Sequence, residues 1–207
     1  MIALLTSCNR LDLLQKTIQS FYKNQHHRVR ICVHEDAVNP EGGTAIYNAA
    51  SWVNFTNGIG QHRSIENFLS LMDGAIEPSK YYLHLEDDFE FNNTFNWIQA
   101  SIDIMEADPT IIKVLAREDS QHPCVHDREV NGIKYGILQA NWHHVGITWQ
   151  GFSWNPGVTR WDLLKKFIPF RKWEQDVAED IAAAGFKVAE LQSKVYRHIG
   201  GGRSTHD

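Results

Sequence analysis

Short apolar runs alternate with stretches of helical period over the first half of the chain, and this alternation constrains the fold more than any other feature. Residues 2–6 are apolar and end at Ser7, Cys8 and Asn9; Leu11, Leu14, Ile18 and Phe21 then recur at steps of three and four. That is a strand, a turn and a helix, with Asn9 placed as an N-cap and Asp12 three residues behind it. Residues 29–33 alternate apolar and polar as a second strand, ending at His34, Glu35 and Asp36, and residues 51–55 form a third, short one. Between them residues 39–43 read as a turn-rich loop, and 57–60 (Asn-Gly-Ile-Gly) as a flexible turn. Ile65, Phe68, Leu69 and Met72 mark a second amphipathic helix; Pro78 interrupts the chain before a strand at 81–85 that runs into Glu86, Asp87 and Asp88. Phe95, Ile98, Ile102 and Met105 predict a third helix, and residues 111–116 a further strand. The pattern is that of an α/β chain with a mostly parallel twisted sheet and helices on both faces.

Beyond residue 116 the pattern weakens. Residues 117–149 are rich in His and Trp without a clean period and read as strands and loops. Thr159 is placed as the cap of a helix through Leu163, Leu164 and Phe167. Residues 173–184 form another helix stopped by Gly185, and 188–191 and 194–197 are short strands before a glycine-rich tail. No repeat, low-complexity tract or linker divides the chain, so residues 1–207 are read as one domain.

Composition sets limits on function. At 43% hydrophobic residues the 207-residue chain has enough apolar mass for a core. A net charge of -5 lacks the basic surplus of a duplex-binding protein. No run of 18 apolar residues is present, and the N-terminus reads as a buried strand rather than a signal peptide, so no integral membrane segment is expected. Cys8, Cys32 and Cys124 are odd in number and widely spaced, which suits a reducing, cytoplasmic setting. The Asn-x-Ser/Thr triplets at Asn54 and Asn92 are read as chance occurrences.

Four groups of residues carry candidate chemistry. Glu86, Asp87 and Asp88 stand where a buried strand runs out into a loop, the end of an open α/β sheet at which ligands bind. Adjacent carboxylates repel, so the trio is either a solvated acidic turn or a site for a hard divalent cation. His198, followed by three glycines and Arg203, is either an ordinary surface imidazole or a second ligand, with glycine amides and the Arg203 fork approaching a phosphate. Glu174 and Asp176 open a helix; they either complement its dipole or supply a general base. Trp154 and Asn155, in the segment 152–160, either belong to the core or bind a sugar face and its hydroxyls.

In this order the segments resemble GT-A glycosyltransferases, the family 2-like inverting enzymes in particular. TSCNRLDLLQKTIQSF is similar to their opening strand and helix, HEDA to the acid that follows the second strand, and NGIGQHRSIENF to the Asn-Gly-Arg segment before the metal motif. EDD resembles the D-x-D motif, FSWNPGVTR the acceptor-side segment, WEQDVAEDIAAAGFKV the base-bearing helix, and HIGGG the C-terminal ligand histidine. The resemblance implies a nucleotide-sugar donor, UDP by family habit, and Mn²⁺ or Mg²⁺. Thr6, Asn9 and Arg10 would lie near the nucleotide, Asp36 at the base or ribose, and Arg63 and Arg203 near the donor. Asp88 and His198 would hold the metal, with Glu86 on the donor ribose or sugar and Asp87 assisting through water. Residues 1–116 would form the nucleotide-sugar half and 117–207 the acceptor half. The chain departs from the family in opening the metal motif with Glu86 and in reading Glu-Gln-Asp at the base helix. Counting back from Gly185 selects Glu174, a one-residue gap selects Asp176, and the reading prefers Asp176. The implied reaction is a single displacement onto an acceptor hydroxyl of a glycan, a lipid-linked precursor, a protein or a modified nucleic-acid base. A nucleotidyltransferase is disfavoured because no glycine follows the first strand; a metal-dependent phosphohydrolase and a non-catalytic carbohydrate-binding protein are the remaining alternatives.

Overall fold

A computed structural model describes residues 1–24, 29–37, 50, 52–55, 58–75, 80–119, 122–143 and 147–201. The apolar run at the N-terminus is strand β1 (Ile2–Ser7), buried along its whole length, and it feeds helix α1 (Leu11–Asn24). Strands β2 (Arg30–Glu35) and β3 (Trp52–Phe55), helix α2 (Gln61–Ala75) and strand β4 (Tyr81–Glu86) follow. The chain then makes β5 (Phe89–Phe91), helix α3 (Trp97–Ala107), β6 (Ile111–Leu115), β7 (Arg128–Val130), β8 (Ile133–Ile137), β9 (Asn141–His143) and β10 (Ile147–Trp149). Its last elements are β11 (Gly157–Arg160), helix α4 (Trp161–Leu164) with a 3-10 turn, helix α5 (Glu174–Ala183), β12 (Lys187–Leu191) and β13 (Tyr196–His198).

Nine strands make one sheet in the order β3-β2-β1-β4-β11-β6-β12-β8-β7. Only β11 and β8 run against the rest, so the sheet is largely parallel, as the alternation of periods predicts. Successive side chains of a strand point to opposite faces, and β1 accordingly sends Ala3 and Leu5 into one core and Ile2 and Leu4 into the other. The first core packs α1 and α3 through Leu14, Ile18, Phe21, Trp97 and Ile104; the second packs α2, α4 and α5 through Ile65, Phe68, Trp161, Val177 and Ile181. Among the described residues no helix is long and apolar enough to cross a membrane.

Three local expectations are corrected. The amides of Leu13 and Leu14 bond to the carbonyl of Arg10, so Arg10 stands at the cap position expected of Asn9, which takes φ 53 one residue earlier. Thr159 does not cap a helix: it is fully buried in β11, antiparallel to both β4 and β6, and Arg160 stands at the cap position. Tertiary pairing decides there over local cap propensity. Phe95 precedes its helix, which Asn96 caps by accepting from the amide of Gln99. The loop at 39–43 and residues Asn57 and Pro78 lie outside the described residues.

Candidate active site

The order β2-β1-β4 places the reversal of strand order between β1 and β4, and ligands of open α/β sheets bind beyond the carboxyl ends of the strands at such a point. Thr6 and Ser7 end β1, His34 and Glu35 end β2, and Glu86 ends β4. A cavity of about 320 Å³ opens there, lined by Thr6, Arg10, Asp36, Gly60, Gln61 and Glu86 among others.

The acidic trio divides into three environments. Asp87 is fully buried; its carboxylate accepts from Arg10 through both Nε (3.1 Å) and Nη2, and from the Ser7 hydroxyl at 3.1 Å. Burial lifts its pKa to about 6 against the pull of Arg10. Asp88 turns toward the tail. Its Oδ2 accepts from Arg10 Nη1 at 2.8 Å and lies 3.1 Å from His198 Nε2. The peptide of Ile199 donates to the Asp88 carbonyl at 2.8 Å, and β13 pairs with β5 so that His198 stands opposite Phe89. A small second ladder thus brings residues 110 positions apart into contact. Glu86 points into the cavity, where Gln61 Nε2 donates to it at 2.9 Å. Desolvation, then the charges of Asp88 and Glu174, push its pKa up to about 8.

The Asp88–His198 pair fits a divalent cation. Adjacent ligands of an octahedral ion bound at about 2.1 Å stand about 3.0 Å apart, close to the 3.1 Å separation seen. Gly200 leaves the space open: a Cβ there would lie 2.6 Å from Asp88 Oδ2 and 2.7 Å from His198 Nε2. Carboxylate with imidazole is a donor set suited to Mn²⁺.

Helix α5 presents its two acids differently. Glu174 accepts the backbone N–H of Trp154, and desolvation raises its pKa to about 7. Asp176 accepts the backbone N–H of Trp173 at 3.3 Å and lies 3.6 Å from Arg171, completing the helix start. The charge of Glu174 acts on Glu86 and on Lys113, a fully buried lysine of β6. Lys113 donates to the Ser153 carbonyl at 2.7 Å, and burial lowers its pKa to about 7 against the attraction of Glu86 and Glu174.

The remaining predicted residues separate. Asn9 donates its backbone N–H to Glu35 at 2.8 Å. Asp36 accepts the amides of Ile59 (2.8 Å) and Gly60 (2.7 Å), which ties the loop before α2 to the cavity mouth. Arg63 is 64% exposed, pairs with Glu66 at 2.7 Å and lines an adjoining groove of about 630 Å³ rather than the first cavity. Trp154 is corrected from a stacking platform to core: it is 1% exposed, packs against Phe152 and Phe170, and donates Nε1–H to His62 at 2.9 Å. Asn155 beside it is half-buried, and Arg203 lies outside the described residues. Sequence reasoning passed over Gln61, His62 and Lys113; a lysine at the centre of the apolar run Ile-Ile-Lys-Val-Leu was the one signal available.

No protein-family model matches the sequence, and no curated protein does. Solved structures do match. Mannosyltransferase PcManGT from Pyrobaculum calidifontis, in complex with GDP-Man and Mn²⁺, superposes with a TM-score of 0.65 at 13% identity, over 99% of this chain and 58% of that one. The fold is of the GT-A type. GalNAc-T7 with UDP, GalNAc and Mn²⁺ gives 0.64 at 12% identity, over 96% of this chain and 43% of that one. CMP:2-keto-3-deoxy-manno-octonic acid synthetase complexed with CTP gives 0.55 at 13%, over 94% and 90%. The GT-A chain thus spans about half the length of the two glycosyltransferases it matches.

Proposed function

We propose that the chain is a metal-dependent glycosyltransferase that moves a sugar from a nucleotide-sugar, UDP-linked as the resemblance implies, to an acceptor hydroxyl with inversion. The observation that carries this is the meeting of Asp88 and His198 beside a cavity at the carboxyl ends of β1, β2 and β4, with the charge of the desolvated Glu174 acting on Glu86. That two similar solved structures hold Mn²⁺ with GDP-Man, or with UDP and GalNAc, supports it.

Asp88 and His198 would hold the cation, which supplies positive charge against the diphosphate as it leaves. Thr6, Arg10 and Asp36 line the cavity for the nucleotide. Glu86 points into the same cavity, where its carboxyl can meet a ribose or sugar hydroxyl. Glu174, rather than Asp176, serves as the base: its pKa near 7 matches a group that must take a proton at neutral pH, whereas Asp176 is engaged by Trp173 and Arg171. The acceptor hydroxyl gives its proton to Glu174, its oxygen bonds to the anomeric carbon, and the bond to the diphosphate breaks on the opposite face. Glu174 lines the groove that also carries His62, Arg63, Phe170, Arg171 and Trp173. That groove suits the acceptor, and Trp173, 56% exposed, offers the aromatic surface that Trp154 does not.

A nucleotidyltransferase is the second reading, favoured by the match over 90% of the CTP-bound synthetase. One experiment separates them. Purified protein is incubated with Mn²⁺ and a panel of nucleotide-sugars and, separately, with nucleoside triphosphates and sugars. The proposal expects release of a nucleoside diphosphate, reduced about a hundredfold or more by Asp88→Asn. Pyrophosphate release, or full activity in the folded Asp88→Asn protein, overturns it.

A further inference from the structure

At the far side of the sheet from the cavity, three side chains of different chemistry meet. Glu190 of β12 pairs across the ladder with Gly136 of β8, and Cys124 forms an isolated bridge with Leu138 just beyond. Gly136 carries no side chain, and its neighbours take up that room: a Cβ there would lie 2.2 Å from the Val125 carbonyl oxygen and 2.6 Å from Cys124 Sγ, so the glycine lets the Cys124 segment pack against β8. His126 follows Cys124 by two residues, the spacing that returns a side chain to the same face of an extended segment. Cys124 Sγ lies 3.9 Å from His126 Nε2, and His126 Nε2 lies 3.7 Å from Glu190 Oε2. One ligand atom from each residue falls within 4.8 Å of the other two.

Glu190 gives the cluster its direction. The residue is 1% exposed. Its Oε2 accepts from Lys194 at 2.7 Å, while its Oε1 is buried with no hydrogen-bond partner. A buried carboxylate oxygen left without a donor is costly, and a coordinated cation removes that cost.

We propose that Cys124, His126 and Glu190 form a second metal site, for Zn²⁺, separate from Asp88 and His198. Tetrahedral bonds of about 2.3 Å to sulfur and about 2.05 Å to nitrogen hold those atoms about 3.6 Å apart, and nitrogen and oxygen ligands about 3.4 Å apart. The measured 3.9 and 3.7 Å need to close by only a few tenths of an ångström. A thiolate, an imidazole and a carboxylate together select a borderline ion over Mg²⁺ or Ca²⁺. Water supplies the fourth position. The bound ion ties the segment before β7 to β12, where the sheet nears its edge. Lys194 is the competing cation: its ammonium sits on the same carboxylate, and it is exposed enough at 27% to swing away.

Cobalt(II) tests the site, because a sulfur ligand gives it an intense charge-transfer absorption that oxygen and nitrogen ligands do not. The full chain, stripped with a chelator, is titrated with Co²⁺. The expected result is one such band per chain, bleached by Zn²⁺, retained in Cys8→Ser and absent in Cys124→Ser. Glu190→Gln should weaken Co²⁺ binding. Lys194→Met, which leaves all three ligands in place, should tighten it about tenfold by removing a like charge. Absence of the band, a band that survives Cys124→Ser, or unchanged affinity in Lys194→Met overturns the proposal.

Discussion

Two acids two residues apart open the same helix, yet their surroundings give them different work. Glu174→Gln is expected to lower kcat by a factor of about 10² to 10⁴, the range for loss of a general base, with the melting temperature held. Asp176→Asn should instead cost about 0.5–1 kcal/mol of stability through the helix start and leave most of kcat intact. Steady-state kinetics and thermal melts on both variants separate these outcomes. The pH dependence has a defined sign. Glu174 must be ionised to accept a proton, and desolvation raises its pKa to about 7, so kcat/KM should climb with pH through an ascending limb near 7. The charge of Lys113 lowers that pKa, so Lys113→Met should move the limb to higher pH, visible in a pH–rate profile. Little of this was legible in the sequence. Glu174 and Asp176 both suit the first turn of a helix, and only the fold shows that one turns inward to the Trp154 amide while the other faces Arg171. Lys113 stands out as a charge within an apolar strand run, but only the fold brings it under the influence of Glu86 and Glu174.

Among elements, the parallel half of the sheet was readable because its strands are long, apolar and separated by helices of clear period. The antiparallel insertion was not. Strand β11 is four residues long, follows Pro156, and begins at Gly157, where a Cβ would lie 2.6 Å from Lys113 Cε. Such a segment carries no alternation to read, and its place between β4 and β6 is fixed by partners distant in sequence. Of the two-stranded ladder that carries His198 to Asp88, the sequence pointed to a strand at 194–197, close to β13, but not to its partner β5 or to their pairing. Gly200, just past β13, makes the most local demand of that ladder. Gly200→Ala should weaken Mn²⁺ binding about tenfold or more while the fold persists, since a methyl group would crowd both proposed ligands. Titration calorimetry with Mn²⁺ on wild type and variant measures it, and an unchanged affinity would count against the pair as the metal site.

Across the whole molecule, the sheet packs an apolar core on each face, and the proposed site lies at the rim where β1 changes its neighbours from β2 to β4. The GT-A resemblance was visible as an order of weak motifs, none decisive alone; the superpositions at 12–13% identity show the same architecture. What motifs could not convey is that Arg10 spans Asp87 and Asp88 at once. Its grip on Asp88 Oδ2 opposes a cation arriving alone. A diphosphate offers the guanidinium another anionic partner and so frees that oxygen. If Asp88 holds the metal as proposed, metal and donor enter as a thermodynamic couple, each raising the other's affinity by the same factor. Mn²⁺ titrated in the presence of a nucleoside diphosphate should bind about five- to a hundredfold more tightly than without it, and Arg10→Ala should shrink that gain. On the proposed assignment the guanidinium would work as an interlock, holding the site disarmed until a loaded donor arrives.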